Sequence, residues 1–423
     1  MDTIFALSSG RPPAAISIVR VSGPNAHRAG MAIAGPLPDA RTVAVRELRD
    51  PQSGELIDEA VVLRFDEPAS STGEDIVEFQ CHGGRAVVDA VLSALGASKG
   101  LRVAQPGEFT RRAFENGRID LTEAEGLADL IEAETESQRK AALALAEGGL
   151  KNQINEWQGQ VLNLSARAER TIDYDEDDQA DPTLAKACAE LERELRDWLA
   201  RPRVELLKDG VRVVVAGPPN AGKSSLINAI AGQERAIVTD VPGTTRDHIE
   251  VPLAVDGVPI LLTDTAGLRH TLDQVEAIGV ERAAALVEAA DVVVWLGEPD
   301  DAPPAPGLIK VHAKADLPER SRTPKWSLAV SSVSGAGVKA LLERIGEIAK
   351  MLLPGEGSIA LNRRQADQIA EAADALRAIA GSADVVLAAE NLRVARLAFD
   401  RLTGRAGVED MLDALFGRFC LGK

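Results

Sequence analysis

Aromatic residues make up only 3% of this 423-residue chain, and cysteine occurs three times, at Cys81, Cys188 and Cys420. The cysteines lie far apart with no Cys-x-x-Cys pair. That disfavours a zinc site or a disulfide framework and fits a reducing compartment. With few aromatics and 45% hydrophobic residues, the cores are expected to be aliphatic and helix-rich. No apolar run reaches the ~18 residues that a membrane span needs, and no amino-terminal secretory signal is recognisable. A soluble cytoplasmic chain is expected. Positive charge is also scarce: 47 Lys and Arg face 65 Asp and Glu, for a net charge of −18. A protein that grips nucleic acid by its phosphates carries a basic face. Contact with nucleic acid would therefore be confined to a local patch or shared with a more basic partner. The acidic run from Asp173 to Asp178 reads as a solvated loop.

Length calls for two or three domains, and three textures separate along the chain. Residues 1–117 alternate short β-like runs with turns. Ala15–Val21 and Glu59–Phe65 are strand candidates, and an amphipathic helix is predicted over Arg85–Ser98. This region reads as an α+β domain. Residues 118–208 read as long helices: Leu121, Ala124, Leu127, Leu130 and Ile131 recur at helical spacing, Gly148-Gly149 breaks the pattern, and Pro182 opens a further helix. Residues 209–349 alternate strand and helix, with strands predicted at Val211–Val215, Val258–Thr263, Val292–Leu296, Leu308–Ala313 and Ser327–Val330. That alternation implies a doubly wound, mostly parallel sheet. Helices return over 350–423. Helical sequence on both sides predicts one all-α domain with the α/β unit inserted into it.

Gly217-Pro218-Pro219-Asn220-Ala221-Gly222-Lys223-Ser224 follows the first of those strands and precedes a helical pattern starting at Ser225. Strand, glycine-rich turn and helix form the context of a phosphate-binding P-loop. Backbone N–H groups of Asn220, Ala221 and Gly222 would turn toward the phosphates at the positive end of a helix. Lys223 would reach the β- and γ-phosphates, and the Ser224 hydroxyl would ligate Mg²⁺.

The motifs after the P-loop distinguish guanine from adenine. In Gly243-Thr244-Thr245-Arg246-Asp247 a threonine can ligate Mg²⁺ and sense the γ-phosphate. In Asp264-Thr265-Ala266-Gly267, Asp264 would hold a Mg²⁺-bound water and the Gly267 N–H would meet the γ-phosphate. Lys314 and Asp316 close a strand where a carboxylate can accept two hydrogen bonds from a guanine edge. Ser331 and Ser332 end another, where a backbone N–H can reach the guanine oxygen. Two departures from the usual GTPase pattern stand out. Ala313 replaces the usual Asn, a loss of roughly 1–3 kcal/mol if a buried acceptor is left unmet. Leu268 stands where Ras-like enzymes carry the Gln that orients the attacking water. Asn220 is a candidate ligand for a potassium ion replacing an arginine finger. Glu276 is a candidate general base acting through water, or else a surface carboxylate.

With these motifs, the flanking helices and the terminal Phe419-Cys420-Leu421-Gly422-Lys423, the chain resembles the tRNA modification GTPase MnmE (TrmE) family over essentially its whole length. Thr72-Gly73-Glu74-Asp75, Gln80-Cys81-His82-Gly83-Gly84 and Pro106-Gly107-Glu108-Phe109-Thr110 match as well. The resemblance implies a homodimer through the amino-terminal domain, with Ras-like G domains that pair when GTP and potassium bind. It implies potassium ligation by Asn220, Thr239, Thr244 and the Val241 carbonyl, Mg²⁺ ligation by Ser224 and Thr245, and water positioning by Glu276. It implies a folate-binding amino-terminal domain taking 5-formyl- or methylene-tetrahydrofolate, with Arg20, Glu78, Arg118 and Lys423 at the matching positions. Read singly, each of these four is more simply a surface charge or a structural pair than a ligand contact. Cys420 is by family position a catalytic candidate; a buried structural thiol is the alternative.

The implied function is modification of the tRNA wobble uridine at carbon 5 to an aminomethyl or carboxymethylaminomethyl group. It is carried out with the FAD-dependent partner MnmG (GidA) in a heterotetramer-type complex, with GTP hydrolysis to GDP driving conformational change. The rival reading is a GTP-regulated, RNA-binding ribosome-assembly factor. Such proteins share the G motifs but lack a domain of this kind ahead of them and the terminal Cys-x-Gly-Lys.

Overall fold

A computed structural model describes residues 2–174, 182–202, 204–233, 250–264, 284–320, 322–325, 327–355, 359–380, 384–406, 409–417, 419 and 422. The chain divides into two compact units, Met1–Ala128 with Asp400–Lys423, and Asp129–Phe399.

The first unit is an α+β fold. Its strands are β1 (Thr3–Leu7), β2 (Ile16–Ser22), β3 (Val43–Arg49), β4 (Leu56–Phe65), β5 (Ile76–His82) and β6 (Leu101–Val103), and its first helices are α1 (Ala26–Ala34) and α2 (Arg85–Gly96). The sheet runs β3-β4-β5-β2-β1-β6. All pairs are antiparallel except β1 with β6. Both strands expected from sequence are present: β2 is shifted by one residue from Ala15–Val21, and β4 begins three residues before Glu59. The period-2 alternation sorts the side chains. Val19, Val21, Val62, Val77 and Phe79 join Ala29 and Ile33 of α1 and Val91 and Leu95 of α2 in one apolar cluster. On the other face Ile4 and Ala6 pack with Phe109 of α3 (Glu108–Glu115). The helix Glu409–Phe416 packs on α3, with the Phe114 and Phe416 rings 6.2 Å apart and Arg111 bonded to Asp413 at 2.6 Å.

The helical stretch from Leu121 contains two breaks before residue 150. Gly148 takes φ 81° at the expected one. The other lies between α4 (Leu121–Glu132) and α5 (Glu136–Ala146), where Thr135 and Gln138 form a capping box. Each satisfies a backbone N–H of the other, a local signature that starts a new helix. The helices α6 (Gly149–Tyr174) and α7 (Pro182–Leu199) follow, and Pro182 does open its helix. Fully buried Trp157 lies edge-on to Trp198 at 5.3 Å and stacks on Phe399 at 5.8 Å, while its indole N–H donates to Glu194 at 2.8 Å. Arg196 of α7 bonds Asp374 of the helix Arg363–Ala380 at 2.5 Å. Helices from before and after the α/β segment thus pack together, which makes that segment an insertion.

A short α8 (Glu205–Lys208) leads into the α/β segment: β7 (Val211–Ala216), α9 (Lys223–Gln233), β8 (Glu250–Val255), β9 (Val258–Asp264), β10 (Val292–Trp295), β11 (Ile309–Ala313) and β12 (Leu328–Val330), followed by the helix Val338–Leu352. The order is β12-β11-β10-β7-β9-β8, parallel throughout except that β8 runs antiparallel to β9. Val-rich runs suit strands buried on both faces. Val211, Val213, Val215, Leu262, Val292 and Val311 form one core with Leu226, Ile230, Leu341 and Ile345. The chain moves to β8 and β9 on one side of β7 and to β10 on the other. β7 is therefore a topological switch point, where open α/β sheets bind ligands beyond the carboxyl ends of the strands.

Candidate nucleotide site

Parallel pairing brings the carboxyl ends of β7, β9, β11 and β12 to one edge, so four motifs distant in sequence meet there. The Gly217–Gly222 loop leaves β7 with φ 149° at Gly217, 60° at Asn220 and 100° at Gly222. Such angles turn successive N–H groups inward and suit glycine. Lys223, 7% exposed, points its ammonium back into the loop, donating to the carbonyls of Gly217 at 3.0 Å and Pro218 at 2.9 Å. The Ser224 hydroxyl donates to Asp264 Oδ2 at 2.6 Å, and Asp264 is only 2% exposed. The two oxygen donors expected around Mg²⁺ are therefore side by side.

Lys314, at φ 60°, donates to the Asn220 carbonyl at 2.7 Å and ties the base-side loop to the P-loop. Ala313 is buried at the end of β11, and Asp316 is exposed. The Ser331 N–H is bonded to the Ala336 carbonyl at 2.9 Å, and the Ser331 hydroxyl accepts from the Val333 and Ser334 N–H groups. Ser331 therefore shapes the loop, and Ser332 beside it is half-buried. Ala221 is half-buried, while Asn220 and Ser225 are exposed. Thr239, Val241, Thr244, Thr245, Thr265, Ala266, Gly267, Leu268 and Glu276 lie outside the described residues.

In the first unit the β2–β5 register sets Arg20 opposite Glu78. Arg20 Nε donates to Glu78 Oε1 at 2.8 Å, with its guanidinium 5.6 Å from the Phe109 ring centre. Gly73 lies against Arg118: a Cβ built there would sit 3.2 Å from Arg118 Cγ. Lys423 and Cys420 are outside the described residues. Between them Gly422, at φ 93°, presses on β1, where a Cβ would come within 2.0 Å of the Leu7 carbonyl, so only glycine fits. Arg20 stands opposite Ala6 on the same strand β1.

The sequence reading missed a buried ion pair at the Thr72–Asp75 turn. Arg112, 4% exposed, reaches both oxygens of Glu74 at 3.1–3.2 Å, and Ser22 donates to Glu74 at 2.8 Å. Asn116 donates to the Thr72 carbonyl at 2.7 Å. Together they hold the Thr72–Asp75 turn beside Arg118. Charge at those positions gave no signal, because the partners lie 38 residues apart.

The fold and the four converging motifs define a P-loop GTPase inserted into a helical domain. The matching family models describe the MnmE helical domain, over residues 121–420, and the amino terminus of the GTP-binding protein TrmE, over residues 3–118. The tRNA modification GTPase MnmE of Rhizorhabdus wittichii is 53% identical, covering all of this chain and 97% of the relative. That of Erythrobacter litoralis is 51% identical over the full length of both. Among solved structures, the G domain of the T. maritima FeoB iron transporter is 26% identical, covering 33% of this chain and 98% of that one at a TM-score of 0.24. The chain belongs to the tRNA modification GTPase MnmE family. Among the described residues no helix is long and apolar enough to cross a membrane.

Proposed function

We propose that this chain is a potassium-activated, cytoplasmic GTPase that acts on tRNA, modifying the wobble uridine at carbon 5 together with an FAD-dependent MnmG partner. The observation that carries the reading is the Ser224–Asp264 contact beneath the P-loop, in a chain matched end to end by MnmE relatives. Hydroxyl and carboxylate oxygens suit Mg²⁺. Ser224 and Thr245 would hold that ion, with Asp264 holding one of its waters, and the ion would neutralise charge on the transferring phosphoryl group. Asn220, exposed on the loop at positive φ, would hold potassium with Thr239, Val241 and Thr244. Glu276 would position the attacking water in place of the missing Gln.

Arg20, Glu78, Arg118 and Lys423 would hold a tetrahydrofolate one-carbon donor. Glu78 suits an amino-pyrimidine edge and the cations suit carboxylates. Cys420 is the candidate catalytic thiol there. A homodimer through the first unit is supported by β3. This strand is at the sheet edge and leaves Val43 65% and Val45 55% exposed, an arrangement that soluble monomers avoid. The acidic net charge fits a division of labour in which the partner carries most of the tRNA contact. The test is GTP hydrolysis in potassium chloride against sodium chloride at equal ionic strength. Strong stimulation by potassium is expected, and equal rates would remove Asn220 from cation binding.

A further inference from the structure

The β8–β9 hairpin connects the nucleotide site to α5. Its open end is at the site: β9 finishes at Asp264, bonded to Ser224, and in sequence β8 begins five residues after Thr245. Its closed end is the two-residue turn Asp256–Gly257, with φ 49° and 79°, the positive pair of a type I′ turn. There the Gly257 carbonyl accepts the Ser137 N–H at 3.1 Å. Ser137 is in the first turn of α5, where helical N–H groups have no partner within the helix, so the hairpin tip caps α5.

Both sides of this joint are stiff. β9 is hydrogen-bonded to β7 on one edge and β8 on the other, and its seven residues span about 20 Å at ~3.3 Å per step. On the α5 side, the Thr135–Gln138 capping box fixes the first turn. Gln138 also donates to the Leu207 carbonyl at 2.9 Å, and Ala141 packs on the α/β core. Beside the joint a cleft of about 420 Å³ opens between Glu136, Lys140, Asp256 and Leu353, spanned at one place by Lys350 to Asp256 at 3.4 Å. The tip is thus held on one side and has room on the other.

We propose that α5, through its bond to Gly257, is a positioning element for Asp264, and that β9 passes nucleotide-dependent displacement of Asp264 to the helical segment. The inference rests on the GTPase reading and extends it to regulation. Coupling is reciprocal, so fixing the joint must change how the site ranks its nucleotides. A Cβ at Gly257 would lie 3.5 Å from Glu136 Cβ, within the range of a disulfide. The test is the full-length Glu136→Cys, Gly257→Cys protein, oxidised and then reduced. The measured quantity is the ratio of GDP to non-hydrolysable GTP-analogue affinity, with the 136–257 bond mapped by mass spectrometry. Oxidation is expected to move the ratio by about fivefold or more, and reduction to restore it. Gln138→Ala, which loosens the same joint without a new bond, is expected to move the ratio the opposite way. A ratio unchanged within about twofold in both proteins would overturn the proposal. If the unaltered chain itself bound no guanine nucleotide, the GTPase reading beneath the proposal would fail instead.

Discussion

Lys314 and Ala313 sit next to each other at the end of β11 and do opposite things to the nucleotide pocket. Lys314 bridges to the P-loop at 2.7 Å, while Ala313 offers no polar atom beyond its backbone. Ala313→Asn is expected to tighten GDP binding by about 1–3 kcal/mol, the value of a buried hydrogen bond regained. Calorimetry showing unchanged affinity would mean that base recognition does not use this position. The thiols give a second prediction. Burial pushes the Cys81 thiol up to about 11, helped by the nearby Asp58 charge, and burial pushes Cys188 to about 11 against the opposing pull of Arg167. Only the thiolate reacts. Iodoacetamide at pH 8 should therefore leave Cys81 and Cys188 unmodified in the native protein and alkylate both after unfolding, as peptide mass spectrometry would read. The P-loop residues were legible in sequence because their chemistry is local: a contiguous run fixes glycine, lysine and serine at once. The Glu74–Arg112 pair was not, since only folding brings α3 against the turn that precedes β5.

At the level of elements, glycine and proline gave clear breaks at Gly148 and Pro182, and the Val-rich strands of the inserted segment fell within about a residue of their expected ends. The separation of α4 from α5 was missed, although Thr135-x-x-Gln138 carries the capping-box spacing, because the apolar periodicity of Leu121–Ile131 and the break at Gly148 were read in its place. That cap stabilises one end of α5. Thr135→Ala should cost about 1 kcal/mol of stability, measured as a lowered urea midpoint with an unchanged slope. A midpoint that does not move would mean that tertiary packing alone holds the first turn. The strands β1 and β5 and the edge strands β3, β6 and β8 were not named from sequence either. β6 has only three residues, and β3 shows its valines to solvent instead of hiding them, so neither carries a buried-strand pattern.

At the scale of the molecule, all four tryptophans and the single tyrosine fall within Asp129–Phe399, leaving the first unit with phenylalanine as its only aromatic. Tryptophan fluorescence therefore reports the second unit, whereas far-UV circular dichroism reads both, so loss of ellipticity without a fluorescence change reports the first. The first unit also holds its amino-terminal end by ion pairs. Arg102 bonds Asp2 at 2.5 Å and Glu108 at 2.5 Å, and Arg112 bonds the same two carboxylates. The Arg102 hydrogen bond holds Asp2 below the usual carboxylate range. Burial works to raise Glu108, but bonds from Arg102, the Gln105 N–H and Arg112 outweigh it and hold that group low too. A carboxylate lowered in the folded state binds fewer protons there than when unfolded. Its contribution is present above the unfolded value of about 4 and is lost as pH falls through the lower folded value. Arg102→Met removes one of the two cations shared by both groups, and the one whose bond lowers each of them most, and so moves them part of the way toward ordinary values. The stability gap between wild type and Arg102→Met, read as urea midpoints by circular dichroism, should therefore be larger at pH 6 than at pH 3. At the lower pH the carboxylates are partly protonated and the arginine has less to hold. An equal gap at both values would show that Arg102 acts by packing its aliphatic stem and not by its charge.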